Sequence, residues 1–394
     1  MRRIASIVLT ICLGFVSLIA AGQETQSFDD LVAQATAANE RNDAAVALDL
    51  YSKALKVNPR WMQGWWLVGL LQYNAGQFAP ARDALTKFLD FGPDPQAYAL
   101  RGMCEFETAE YADSLADLQR AISLGAPDDA SNEQALHFYE AMLLTRLGKF
   151  EASLRAFVYF AQRRIVNQDL LLAIGLAGLR MPLVPKDVSD DQRPLLIDTG
   201  TAVYAFMSRD SKAEAAFEAL FQSFPAVPNL HLLYGSLLYQ EEPYAAQQQF
   251  QAELKIDPSN QQARIMVAWV LLMQNNPAAA LPYAQQAVQA QAGLASAHLV
   301  LGRSLSETGD VGAGLGELKR ALQLDPDNLE VHIALVSAYS QAGQMVDARR
   351  EQAWLGEHRL VEGVACRPER GLVDDQMQVF VPYAERVLLE CFPG

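Results

Sequence analysis

The chain has 394 residues, 51% of them hydrophobic and 20% charged, with a formal net charge of −15. That length exceeds the usual reach of one compact core, and the balance of apolar and charged residues excludes wholesale disorder. An acidic surface of this size repels phosphate backbones and anionic lipid, so nucleic acid is not an expected partner.

Residues 1–22 read as a secretory signal. Arg2 and Arg3 precede an uncharged stretch at 4–21, which closes on the small residues Ala20, Ala21 and Gly22 before the polar Gln23, Glu24 and Thr25. Cleavage there takes away two arginines and no acid, so the charge becomes −17. The alternative is an uncleaved anchor, since 18 uncharged residues can just span a bilayer. Cys12 lies mid-stretch behind Ile11, which is not the small residue a lipoprotein site needs. No later run is long enough to cross a membrane, so no membrane contact is expected beyond the signal segment.

Past the signal, residues recur in steps of 34. Ala246, Ala280, Gly314 and Ala348 are so spaced, as are Ala287, Ala321 and Leu355, then Pro258, Ala292 and Pro326, and, near the other end, Pro59 and Pro93. A fixed period of this length predicts stacked helix pairs, each burying its apolar face only against its neighbours. The first unit carries Leu31, Ala35, Ala47, Tyr51, Ala54 and Pro59, with a polar first helix; the second carries Trp65, Gly69, Ala81, Leu85, Phe88 and Pro93. Tyr98, Gly102, Ser114, Leu118 and Ala121 mark a third, and Ala141, Gly148, Ser153, Phe157 and Phe160 a fourth.

The period is interrupted at 166–193. Leu171, Ile174 and Gly175 begin a first helix, but Met181, Pro182 and Pro185 stand where its partner should follow. An acidic loop then leads to a new helix from about Pro194. This segment reads as a break between two repeat blocks, at 23–165 and 194–360. It is a hinge, a binding loop or an insertion tolerated on one edge.

The best-formed unit spans 295–328. Its first helix carries His298, Leu301, Gly302 and Leu305 on one face; Gly309 and Asp310 end it; the second presents Gly314, Leu318 and Ala321 before Asp325 and Pro326. Gly302 and Gly314 are small enough for the two axes to approach closely. A neighbouring unit carries Ala268, Asn275, Ala280, Ala284, Ala287 and Ala292, and the last carries His332, Leu335, Tyr339, Gly343 and Ala348.

This pattern resembles the tetratricopeptide repeat: a large residue, Leu-Gly, an Ala about twelve residues later, an aromatic, another Ala and a closing Pro. The resemblance covers 28–165 and 194–360. It implies an all-α, right-handed superhelical solenoid of antiparallel helix pairs, about eight to nine units long. It also implies a groove lined by the first helices that binds a protein or peptide, with no shared catalytic residues. After residue 360 the period is lost, and 361–394 reads as a tail that caps the last repeat. Export to an oxidising compartment leaves three cysteines. Cys104 lies in a helix core, while Cys366 and Cys391 in the tail are candidates for a disulfide, with two free thiols as the alternative.

Nothing in the sequence points to chemistry. There is no His-Glu-x-x-His, Cys-x-x-Cys, Gly-x-Ser-x-Gly or phosphate-loop motif, and no cofactor or metal is expected. Gly312, Gly314 and Gly316 follow a helix where a phosphate-cradling loop would follow a strand. His137, His231, His298 and His332 are assigned to the fourth position of a first helix, where packing explains them. No carboxylate or cysteine is recognised in phase to complete a metal site. Paired acids such as Asp128-Asp129, Asp190-Asp191 and Asp374-Asp375 read as caps and loop solvation. The enzyme alternative rests on the loop at 182–193, which offers Lys186, Arg193 and three acids but no histidine.

A groove is therefore the expected site. First-helix residues away from the packing stripe fall at the second, fifth, ninth, twelfth and thirteenth positions. They include Trp66, Tyr73, Phe106, Phe138, Met142, Tyr239, Trp269 and Met273, with Arg146 and Arg303 interspersed. Aromatic, Met and Arg side chains carry interface energy when a partner buries them. Some tetratricopeptide proteins hold a C-terminal carboxylate with Lys and Asn side chains on this face; Asn74 is suitably placed, but no lysines accompany it. The expected function is an interaction scaffold in a bacterial periplasm or envelope, with a structural part in an envelope assembly as the alternative.

Overall fold

The computed structural model describes residues 26–125 and 130–363. The signal segment, the Cys366–Cys391 pair, the tail cap, Asp128-Asp129 and Asp374-Asp375 lie outside the described residues. Within them the chain is helical with no strand, and two compact units divide after Gly92.

The first unit holds two hairpins: α1 (Phe28–Glu40) with α2 (Ala44–Val57), and α3 (Met62–Asn74) with α4 (Phe78–Leu89). Its core joins Ala35, Tyr51, Leu55, Val68 and Ala84.

The second unit continues the pairing with α5 (Pro95–Glu107) and α6 (Tyr111–Ser123), then α7 (Ala130–Arg146) and α8 (Phe150–Gln162). Next come α9 (Gln168–Gly178), α10 (Arg193–Met207) and α11 (Ala213–Ser223). Four further hairpins follow: α12 (Leu230–Leu238) with α13 (Pro243–Ile256), α14 (Gln261–Met273) with α15 (Pro277–Ala290), α16 (Ala295–Glu307) with α17 (Val311–Leu324), and α18 (Leu329–Gln341) with α19 (Met345–Gly363). A continuous core runs through this unit, built around Phe157, Ile174, Phe217, Phe250, Trp269 and Leu318.

Local chemistry repeats with the fold. Asn275, Gly309 and Gly343, one repeat apart, have φ of 57°, 104° and 71°, so each hairpin turns through a left-handed residue. Asn276 and Asp310 then cap the next helix, their side chains accepting from Ala279 N at 3.3 Å and Ala313 N at 3.1 Å. The Gly302–Gly314 crossing is as close as expected: a Cβ on Gly302 would lie 2.7 Å from Leu318 Cγ and 2.9 Å from Gly314 O.

The interruption at 166–193 turns out differently from the sequence reading. α10 packs on α9 as its antiparallel partner, so 179–192 is a long loop inside one hairpin and not a break between blocks. Two glycines make the contact possible. A Cβ on Gly175 would lie 2.0 Å from Leu196 O, and one on Gly200 would lie 1.8 Å from Leu171 O. The loop contains a 3-10 turn at Pro185–Asp187 and is anchored by buried Val184 and Val188. Arg193 donates to Pro185 O at 3.1 Å and lies 3.5 Å from Asp190, and Ser189 donates to Gln192 at 3.0 Å. These polar side chains hold the loop's own shape.

Candidate binding surface

The first helix of each hairpin presents the positions singled out from the spacing, but packing between neighbouring helices claims many of them. In the first unit, Trp66 is half-buried with its ring 5.5 Å from Phe88, and Tyr73 is half-buried with its ring 5.7 Å from Phe78. In the second unit, Phe106 is buried edge-on against Tyr111 and Tyr139, and Lys186 from the 179–192 loop lies over its face at 5.4 Å. Phe138 is half-buried against Phe160, Met142 is buried, and the Arg146 guanidinium lies 5.0 Å from the Tyr111 ring.

Tyr239 and Trp269 are closed off further. Tyr239 is 3% exposed, its hydroxyl accepting from Gln240 Nε2 at 3.1 Å. Trp269 is 1% exposed beneath the Arg303 guanidinium, 5.0 Å away, and Arg303 is paired with Glu307 at 3.0 Å. Met273 remains half-buried. Trp269 and Tyr239 are therefore core residues of the second unit and not open groove positions; α16, the next first helix after α14, packs on it and covers Trp269. The spacing separates these positions from the hairpin stripe but carries no information on that second contact.

The histidines prove structural, with two departures from the sequence reading. His298 Nδ1 lies 2.5 Å from Glu317 Oε2, and its Nε2 donates to Ala292 O at 3.0 Å. One repeat on, His332 Nδ1 lies 2.7 Å from Glu351 Oε2, and its Nε2 donates to Pro326 O at 2.9 Å. Carboxylates are thus in phase with these histidines, 19 residues after each. Each pair ties a first helix to its partner helix and to the preceding turn. His231 is the second residue of α12 and His137 the eighth of α7, so only His298 and His332 share the fourth place. Among the described residues no group of three potential ligands is gathered to hold a metal.

Two acids sit where burial disfavours their charge. Glu105, 6% exposed, is pushed up to about 7, first by desolvation and then by the nearby Asp117, with Arg101 opposing. Arg101 itself is committed to Asp117, at 2.5 and 2.8 Å. Glu330, 8% exposed, is likewise pushed up to about 7 by burial, with Arg303 opposing.

Glu330 borders a cavity of about 70 Å³ between α16, α17 and α18. Arg303, Ser306 and Glu307 line it from the ninth, twelfth and thirteenth places of α16; Glu330, Ile333 and Ser337 line it from the second, fifth and ninth places of α18. These are the positions the spacing assigns to the open face. Arg303 is the one of these that residue type selects; Ser306, Glu307, Glu330 and Ser337 are polar or acidic and Ile333 is aliphatic, outside the aromatic, Met and Arg types. The positional rule alone was the signal that finds them.

Comparison with known proteins agrees with this architecture. Tetratricopeptide repeat family models match 305–351 and, in a second form, 32–94, 69–131 and 236–295, together just over half of the chain. No curated protein matches the sequence. Among solved structures, YrrB, described as a tetratricopeptide protein with an unusual peptide-binding site, is 19% identical over 39% of this chain and 81% of its own, with a TM-score of 0.34. Yeast Tom70 is 15% identical over 83% of this chain and 68% of its own, with a TM-score of 0.33. The Cut9–Hcn1 assembly of APC/C is 13% identical over 84% of this chain and 66% of that chain, with a TM-score of 0.34. Superpositions this loose carry no argument about binding. The repeat matches and the helix pairs identify the chain as a member of the tetratricopeptide repeat family, an all-α solenoid.

Proposed function

We propose that this protein is an interaction scaffold that holds a segment of a partner protein on the first-helix face of its C-terminal repeats, after export to the bacterial periplasm or envelope. The observation that carries the binding reading is the cavity between α16, α17 and α18. It is lined from the positions that the repeat leaves off its packing stripe, and it retains buried polar atoms with no protein partner. A stacked-repeat fold needs no such polar cavity for its own stability, since apolar filling would serve it better. The export reading is supported by Arg2, Arg3 and the uncharged stretch at 4–21.

A photo-reactive residue placed at Ser337, which lines the cavity, is expected to give one or two discrete adducts in the native envelope. The same residue at Tyr244, 69% exposed on a second helix, is expected to give none. Adducts at Tyr244 with none at Ser337 overturn the assignment of the binding face. The intact mass of the purified chain is expected to correspond to a start at residue 23.

A further inference from the structure

Beside the cavity between α16, α17 and α18 the protein leaves two acceptors unused. Glu330 Oε1 and Ser306 Oγ are both buried without a hydrogen-bond partner, on residues 8% and 6% exposed. A buried carboxyl oxygen with no donor costs free energy on the order of 1–3 kcal/mol or more, which a donor from outside would recover. Ser306 has its place because Gly314 has no side chain: a Cβ there would lie 2.1 Å from Ser306 Oγ.

We propose that this cavity receives the ε-ammonium group of a lysine side chain from a partner protein, with Glu330 and Ser306 as its acceptors. This rests on the scaffold reading above and names the chemistry of the bound segment. The volume of about 70 Å³ is several times the ~10–15 Å³ that one water occupies on the same measure, enough for an ammonium and the last methylenes of its stem. Leu318, Ile333 and Ala338 supply apolar wall for that stem.

The fixed charges favour a cation. Arg303 is offset by its 3.0 Å pair with Glu307 and stacked over Trp269, so Glu330 sets the net charge of the site. Burial holds the Glu330 carboxyl at about 7, and an ammonium beside it draws it back toward the ionised form. Lysine suits the cavity better than arginine, because a compact ammonium fits where a planar five-donor fork does not. The net charge of −15 attracts basic segments over the last distance of approach.

The test uses the full-length protein and capped pentapeptides with one central residue among Gly and Ala, followed by ligand-observed NMR. The lysine peptide is expected to bind, and Nε-acetyl-lysine, norleucine and arginine peptides to bind at least tenfold more weakly. Glu330→Gln, which keeps the shape of the side chain, is expected to lower lysine-peptide affinity at least tenfold. Ser306→Ala is expected to lower it severalfold, with circular dichroism checking that both variants are folded. No binding of the lysine peptide, or equal binding by wild type and Glu330→Gln, overturns the proposal. So does n-butylammonium binding as tightly as the peptide, which assigns the cavity to free amines. Adducts at Ser337 without lysine selectivity sink the pocket and leave the scaffold; lysine selectivity without any adduct does the reverse.

Discussion

At the scale of single residues, the repeated histidines show how one contact is used twice at different depth. His332 is 3% exposed, tied to Glu351 and Pro326 O, and stacked on Trp354 with ring centroids 3.5 Å apart. His298 makes the same two hydrogen bonds, but Glu317 is 30% exposed at its side chain where Glu351 is 7% exposed. Removing His332 leaves a carboxyl in the interior held only by Arg350, at 3.3 Å, whereas water can reach Glu317. His332→Ala is therefore expected to cost about 2–4 kcal/mol and His298→Ala about 1–2 kcal/mol, measured as shifts in urea midpoint. Equal costs would show that carboxylate burial is not the deciding quantity.

At the scale of elements, turn and cap chemistry made most of the fold readable. Gly309 and Gly343 sit at positive φ where the spacing calls for a turn, and Gly302 opposite Gly314 marks a crossing. The α9–α10 pair was hidden because Met181, Pro182 and Pro185 look like an end to the repeat, while the partner helix lies past a 14-residue loop at 179–192. The signal was present in Gly175 and Gly200, which fall where the helices touch backbone to backbone. Gly175→Ala or Gly200→Ala must push α9 and α10 apart, and each is expected to cost several kcal/mol, on the order of 3. Gly316→Ala, mid-helix with nothing within 4 Å of its would-be Cβ, is expected to stabilise by about 0.5–1 kcal/mol. Thermal unfolding of the three variants decides between close approach and simple helix propensity.

At the scale of the whole molecule, the period fixes the class of protein and the stacking of first helices selects the part of its surface left for a partner. Of the ten residues picked as groove positions, Phe106, Met142, Tyr239, Trp269 and Arg303 are buried. The contact that covers Trp269 comes from Arg303 on the next first helix, and no local pattern records it. What the sequence did supply was the positional rule, and that rule leads to Ser306, Glu330 and Ser337 once residue type is set aside. The central claim, that a partner segment lies on the first-helix face of the C-terminal repeats, is tested most directly by hydrogen exchange on the complex isolated through Ser337 crosslinking. The account predicts slowed exchange in α16 and α18, with α17 and α19 unchanged. Protection confined to α17 and α19 would contradict it.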